Sequence, residues 1–341
     1  MIGLAIVGVG WAGHRQAEAI AELSRQLDPS TSERLRLVML VDSDADRLVK
    51  EANELGVAEW STDLTVALAH PEVDAVSIAT PHPFHAEQTI AAVEAGKHAL
   101  VEKPMAPNVE TAGAMIEAAN ANNVALYVAE NEVYTALVDT AQAWLPEIGQ
   151  PIHASIRRAH RSEGRYEYPG RRRWLTHPEE GGTGPWALNG IHTVAQLRAM
   201  LGEVDAVYMR EHHADGFATP DIEGTMVGLL TMADGTPVEV VQSCEFALGL
   251  SLAFHGEWGS IIASETHAEL HAATNLRVDF RTDGLSSYAR EMLAFADHVE
   301  GTQAGPTDGR SERRSLAVVQ AGYESAASGL PVYLRDRFGE L

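Results

Sequence analysis

The stretch from Leu4 to His14, LAIVGVGWAGH, limits what this chain can fold into more than any other. The apolar run Ile2 to Val7 has the length of a buried strand, breaks at Gly8, and is followed by a helix expected to open near Trp11. Gly8, Gly10 and Gly13 form G-x-G-x-x-G. In such a turn the first glycine permits the tight bend, the second lets a pyrophosphate approach the backbone, and the third lets helix and strand pack closely. The helix start at Trp11, Ala12 and Gly13 then turns main-chain N–H groups and a positive dipole end toward the phosphates. Glycines at this spacing also mark ordinary strand-to-helix turns. Their position directly after a strand and before a helix is what favours a dinucleotide site.

Such a site calls for an acid at the end of the second strand. Leu35 to Val41 is apolar and ends in Asp42. The separation exceeds the roughly 20 residues usual for the pattern, and the polar segment Asp28 to Glu33 reads as a surface loop that accounts for the excess. Asp42 would accept hydrogen bonds from an adenosine ribose and repel a 2′-phosphate, which favours NAD over NADP. The alternative is that Asp42 only begins the turn that follows.

The first part alternates apolar runs with helical segments: helices over 11–24, 47–55, 64–69, 84–95 and 108–121, strands over 73–79, 98–101 and 124–129. This repetition predicts a doubly wound parallel sheet of the Rossmann type over residues 1–130. Ligands of such sheets lie at the carboxyl ends of the strands. Those ends carry Thr80, Pro81, His82 and His85; Glu102 and Lys103 before Pro104; and Glu130 with Asn131. Lys103 in a cleft would have its pKa lowered by desolvation and raised by Glu102, and it could donate to a substrate oxygen. Equally, it reads as a surface lysine at a turn.

Residues 131–341 read as a second domain. A helix over 134–145 and a strand over 152–159 precede Arg161 to Arg173, a loop rich in Arg, Tyr and Gly, and then Trp174. Arg172 and Trp174 are candidates for a substrate wall, with arginines suited to an anionic or hydroxyl-rich ligand; a solvated basic stretch is the competing reading. Gly181 to Pro185 leads into a helix over 186–201. There Asn189, His192 and Gln196 share one face, with Thr193 beside them. An uncharged polar stripe on an otherwise apolar helix predicts a cleft. Strands follow over 204–211, 225–232, 237–246, 252–255, 260–263 and 268–271, with a hairpin turn at Ala233 to Thr236. They read as a sheet, and the shortage of polar residues around Val238 to Phe246 for a solvent-facing side suits a homodimer or homotetramer. Helices over 287–300 and 311–328 close the chain, and they could pack back on the first domain.

The chain has 341 residues, a formal net charge of −23 and one cysteine, Cys244. The acidity argues against nucleic acid and anionic membrane as partners. One cysteine excludes internal disulfides and cysteine-based zinc sites. With no apolar run long enough to span a bilayer and a start directly on a strand, a cytoplasmic location is expected. Among 15 histidines, none shows an H-E-x-x-H spacing, so no metal is expected.

Taken together, Gly8 to Gly13, Asp42, Thr80-Pro81 with His85, Glu102-Lys103-Pro104, Gly181-Gly182 with His192, and the C-terminal Ala321 to Ser325 and Gly329 to Val332 resemble the glucose–fructose oxidoreductase, inositol dehydrogenase and MocA (Gfo/Idh/MocA) family. The resemblance runs over nearly the whole chain. It implies an NAD(P)-dependent oxidoreductase moving a hydride between nicotinamide and a hydroxyl-bearing carbon of a sugar, polyol or related cyclic compound. It also implies an open, largely antiparallel sheet in the second domain used for oligomer contacts, a cis Lys103–Pro104 peptide, contact of Lys103 with substrate and nicotinamide ribose, and an acid/base role for His192. His82 and His85 would border the nicotinamide. The chain departs from the family where an Asp commonly precedes the histidine by three residues: here Asn189 can orient the ring but supplies no charge. Two other readings are an NAD-sensing regulator without catalysis and a glycosidase that holds NAD through a redox-neutral cycle.

Overall fold

The computed structural model describes residues 1–161, 174–175, 177, 182–213, 222–272, 275–278, 283–301 and 305–341. The chain divides into two compact units. The first comprises Met1–Tyr134 and Gly284–Arg313, the second Thr135–Asp283 and Arg314–Leu341.

In the first unit, β1 (Ile2–Val7), β2 (Leu35–Val41), β3 (Glu59–Ser61), β4 (Ala75–Ile78), β5 (His98–Glu102) and β6 (Leu126–Ala129) form one sheet in the order β3-β2-β1-β4-β5-β6. Every neighbouring pair is parallel. The order reverses at β1, which places a switch point at the carboxyl ends of β1 and β4. Strands buried on both faces require uninterrupted apolar sequence, which is why these segments do not alternate. The helices are α1 (Trp11–Ser24), α2 (Pro29–Ser32), α3 (Ala45–Leu55), α4 (Leu64–Ala69), α5 (His85–Glu94) and α6 (Val109–Ala121). Their starts are fixed by capping side chains: Asp44 accepts from Arg47 N, Asp63 from Thr65 N, and Asn108 from Thr111 N. The polar segment after Asp28 is not wholly loop, since Asp28 caps the single turn of α2.

One element joins this unit from far along the chain. The helix Ser287–Val299 buries Ala289, Met292, Phe295 and Ala296 in the same core as Leu4, Ile6, Leu40 and Leu100. The first unit therefore comprises residues 284–313 besides 1–134, a return of a C-terminal helix that the division at residue 130 leaves open.

The second unit begins with α7 (Ala136–Trp144), which ends in a 3-10 turn containing Pro146. Then come β7 (Pro151–Ala159), a π-helical turn Trp186–Gly190, α8 (Ile191–Leu201), β8 (Val204–His212), β9 (Thr225–Met232), β10 (Pro237–Ser243), β11 (Gly249–Gly256), β12 (Gly259–Ser264), β13 (His267–Ala272) and β14 (Asn275–Val278). The helix of the first unit described above is α9. After it run α10 (Gly309–Ser328), β15 (Val332–Tyr333) and α11 (Leu334–Phe338). The nine strands form one sheet in the order β14-β13-β12-β11-β7-β10-β9-β8-β15. Only β7 and β10 pair in parallel; the rest is antiparallel. The expected β9–β10 turn forms at Gly235, whose φ of +91° suits glycine. Along β10, Val238, Val240 and Gln242 point inward and are buried. Tyr208, Val227, Leu229 and Ile262 are exposed on their strands.

Candidate active site

The glycine-rich turn is shaped by close backbone approaches. Gly8 takes φ +90°, and a Cβ there would lie 2.6 Å from Ala79 O. A Cβ on Gly13 would lie 2.0 Å from Gly8 O, so helix and strand meet at glycine-only distance. Gly10 differs: the nearest atom to a Cβ there is Arg47 Nη1, 3.9 Å away, leaving open space above the turn. Gly10 also starts α1 without a side-chain cap, and the first turn holds no acid. Uncapped N–H groups beside open space fit a pyrophosphate, the part of a dinucleotide that needs such a cradle. Trp11 projects into solvent and meets Tyr288 edge-on, with ring centres 6.3 Å apart. Ala12 is partly buried behind it.

Asp42 sits at the end of β2, nearly buried, in a tight mesh. Its Oδ2 accepts from Val9 N (2.9 Å) and Arg47 Nη1 (3.0 Å), and its Oδ1 accepts from Asp44 N (3.0 Å). A carboxylate offers about four lone-pair directions; two are used on Oδ2 and one on Oδ1, which leaves one for a further donor. Arg47 was invisible to the sequence reading. It lies in the first turn of α3, and only the fold brings it onto Asp42 and over Gly10.

The carboxyl ends of β4 and β5 are tied together by His85. Its ring is fully buried; Nδ1 bonds Pro104 O (3.0 Å) and Nε2 bonds Thr80 O (2.8 Å). His85 therefore braces the loop rather than offering a ring nitrogen to a ligand. Thr80 Oγ1 donates to Gln88 Oε1 (2.7 Å), while Pro81 leads into the short turn His82–Phe84. His82 packs edge-on to His85, with centres 5.5 Å apart. Burial pushes the His82 imidazole well below its ordinary pKa, and the charges of His85 and Lys103 lower it further. The Lys103–Pro104 peptide is cis. Glu102, beside it, accepts from Gln16 Nε2 (3.0 Å), and Gln16 in turn accepts from Ser77. Part of Glu102 reaches the surface, yet burial pushes its carboxyl up to about 7, against the opposing charge of Lys103. The ammonium of Lys103 thus acts on His82, His85 and Glu102 at once. Nearby, Asn131 Nδ2 donates to Ser287 Oγ (3.0 Å). Glu291 is fully buried with no hydrogen-bond partner for either oxygen among the described residues, and burial raises its carboxyl well above the usual range.

In the second unit, His192 is buried on the first turn of α8 and Asn189 is partly exposed on the π-helical turn before it. The single polar stripe expected of this helix is not what forms. Ile191 through Arg198 are buried all round, and the other polar residues meet internal partners. Gln196 Oε1 accepts from Arg158 Nη2 (3.0 Å), and Thr193 is fully buried beside Gln242. Gln196 and Thr193 therefore hold α8 to the sheet. Trp174 packs with Leu175, Leu188, Ile222 and Cys244 in a small apolar cluster. Arg172 and Gly181 lie outside the described residues. Among the described residues, no group of three or more His, Cys, Asp or Glu could hold a metal ion. No helix of the described residues is long and apolar enough to cross a membrane.

The start of that helix is held by Glu223, which no motif marks, and by Tyr323 of the C-terminal Ala321 to Ser325 stretch, to which sequence alone assigns no role. Glu223 Oε1 accepts from Trp186 N (2.8 Å) and from Tyr323 Oη (3.0 Å), and Tyr323 Oη accepts from Ala187 N (3.1 Å). Burial pushes the Glu223 carboxyl up to about 7, opposed by its bond from Trp186 N.

Residues 2–130 match the family model described as an oxidoreductase family with an NAD-binding Rossmann fold, Gfo/Idh/MocA, and residues 145–262 match the Gfo/Idh/MocA C-terminal domain. The chain belongs to this family. It is an NAD(P)-dependent oxidoreductase. Among its relatives, 1,5-anhydro-D-fructose reductase of Ensifer adhaerens is 27% identical over 86% of this chain and 89% of its own. Inositol 2-dehydrogenase 3 of Saccharopolyspora erythraea is 25% identical over 99% and 97%. A levoglucosan dehydrogenase solved with NADH and levoglucosan superposes with a TM-score of 0.87 at 20% identity, over 97% and 98% of the two chains, a likeness of fold.

Proposed function

We propose that this Gfo/Idh/MocA oxidoreductase moves a hydride between nicotinamide and a hydroxyl-bearing carbon of a sugar, polyol or related cyclic compound, with NAD preferred. The observation that carries the reading is the placement of Lys103. It stands at the carboxyl end of β5, the strand next to the sheet's β6 edge, before a cis proline, with its charge felt by Glu102, His82 and His85. Nicotinamide, when bound, supplies the two-electron carrier. The chain's own task is to bind, orient and move a proton.

Gly8, Gly10 and Gly13 with Trp11 and Ala12 hold the pyrophosphate, and Asp42 takes the adenosine ribose through its remaining lone pair. Thr80, Pro81 and His82, with Glu102 and Asn131, border the nicotinamide end; His85 acts there by fixing Thr80 and Pro104. Lys103 donates to the substrate oxygen and stabilises the developing alkoxide. In the oxidative direction a ring nitrogen of His192 takes the hydroxyl proton. Asn189 orients through hydrogen bonds and adds no charge. Trp174, with Arg172, contributes to substrate selection. The exposed apolar residues Tyr208, Val227, Leu229 and Ile262 support association of the open sheet face with a second copy. One buried free cysteine and a net charge of −23 suit a cytoplasmic protein that binds neither nucleic acid nor membrane.

The test is nicotinamide absorbance with NAD and NADP across sugars, polyols and sugar acids. Reduction of NAD by one class, lost in Lys103→Ala and in His192→Ala, is expected. NAD binding with no reduction by any class, or undiminished turnover in either variant, would remove the corresponding assignment.

A further inference from the structure

The turn that precedes His192 is unusual in three respects. It is π-helical, a geometry uncommon in proteins and often found at functional sites. It lacks a capping side chain of its own, since its N-cap residue is Pro185. And its first two N–H groups are satisfied from elsewhere in the fold, by Glu223 and Tyr323. Those two residues also bond each other, at 3.0 Å. The result is a closed set of three bonds: Trp186 N to Glu223, Ala187 N to Tyr323, Tyr323 to Glu223.

Packing around this set is equally specific. Trp186 is fully buried, and its Nε1 donates to Val319 O (3.0 Å). A Cβ on Gly190 would lie 2.3 Å from the Trp186 ring, and one on Gly322 would lie 2.4 Å from Trp186 Nε1. Gly184 is needed for the carboxyl: a Cβ there would lie 1.7 Å from Glu223 Oε2. Three glycines thus give up side chains so that Trp186 and Glu223 can sit where they do. A bond lost from buried main-chain N–H groups is costly, and here the cost falls on the turn that carries Asn189 and leads directly into His192.

We propose that Glu223 and Tyr323 are positioning residues for His192: they clamp the π-helical turn and thereby set the direction of the imidazole during proton transfer. The proposal rests on the acid/base reading of His192 above. Neither residue touches the reacting atoms. Their effect reaches the chemistry through Trp186, Ala187 and the helix they begin. Misplacement of a reacting group by about 1 Å can cost on the order of 100-fold in rate, so a loosened clamp reads out chiefly in kcat.

The experiment uses the full chain with Tyr323→Phe, Gly184→Ala and Glu223→Gln, and His192→Ala alongside. Hydrogen exchange of the peptide spanning Trp186 to His192 is followed by mass spectrometry, with steady-state kinetics on the best substrate of the panel. Tyr323→Phe removes the acceptor of Ala187 N, and Gly184→Ala displaces Glu223 without deleting it. Both should speed exchange of this peptide and lower kcat by about 10- to 100-fold, with NAD affinity and substrate KM near wild type. Glu223→Gln keeps an acceptor oxygen and should hold kcat within about threefold of wild type and exchange near normal. Unchanged exchange in both Tyr323→Phe and Gly184→Ala overturns the clamp, whatever the activity. Faster exchange with unchanged kcat, or with the whole effect in KM, overturns the positioning role. Undiminished turnover in His192→Ala overturns the reading of His192 instead. In that case faster exchange would sustain the clamp, and its consequence for His192 would fall with that reading.

Discussion

Asp42 offers the sharpest perturbation of the cofactor half. In Asp42→Ala three donors lose their acceptor together: Val9 N, Asp44 N and Arg47 Nη1. The bond to Val9 N is buried, so its loss leaves an unsatisfied main-chain donor worth about 1–3 kcal/mol of stability. Arg47 is one-quarter exposed by side chain and keeps Asp44 at 3.7 Å, so it turns to water and adds little. For NAD, the variant deletes a charge-assisted bond to ribose, worth about 1.5–3 kcal/mol, or roughly 10- to 100-fold in affinity. For NADP two changes go the other way. The carboxylate that repels a 2′-phosphate is gone, and Arg47 is no longer neutralised by it. The NAD-to-NADP affinity ratio should therefore fall by at least about tenfold. Calorimetric titration with each cofactor, with urea unfolding for stability, reads both effects. The companion Arg47→Ala should spare NAD and weaken NADP. Equal weakening of both cofactors in Asp42→Ala would refute the reasoning, since that is how a collapsed loop behaves, not a lost ribose contact.

Gly13→Ala would put a Cβ 2.0 Å from Gly8 O; it should lower the thermal midpoint by the equivalent of about 3 kcal/mol and abolish NAD binding, read by thermal melts with and without NAD. Glu102, with its folded pKa raised to about 7 from 4.5, favours the folded state most below the unfolded value and loses that contribution as pH rises through the folded one. Urea unfolding of Glu102→Gln should therefore gain on wild type by up to about 3 kcal/mol between pH 4.5 and 7.5, whereas a pH-independent difference would contradict the shift. Leu229, opposite Tyr208 and Glu239 on the exposed sheet face, should on conversion to Asp move the protein toward monomer in light scattering.

Much of the first unit was readable because its signals are local. Asn108 announces the start of α6, and Gly56 ends α3 in a left-handed conformation at φ +69°, although α3 begins at Ala45 behind its cap Asp44, two residues before the expected start. Apolar runs of strand length need both faces buried, and only a doubly wound sheet supplies that repeatedly. What escaped was non-local. That the C-terminal helices could return to the first domain was open from the sequence, but the buried face of α9 is an ordinary amphipathic pattern, and only the fold fixes which of them enters this core. Helical spacing placed Asn189, His192 and Gln196 on one face, but a π-helical turn runs to Gly190, and Gln196 proved to be a partner of Arg158. Arg47 and Glu223 belong to no motif, and Tyr323 lies in the C-terminal Ala321 to Ser325 stretch, which gave it no role. Their roles arise only when tertiary structure brings them to Asp42 and to the start of the His192 helix. Asp42 itself was singled out correctly as a strand-end acid, but its supporting mesh could not be foreseen.

The central claim is hydride transfer between a carbinol carbon and the nicotinamide. The most direct measurement is to turn over the best substrate of the panel, deuterated at the oxidised carbon, and to weigh the NADH formed. The account predicts one deuterium on the reduced nicotinamide and a slowed single-turnover rate, with the transfer lost in Lys103→Ala and in His192→Ala. NADH without deuterium, or deuterium transfer that persists in both variants, would contradict it.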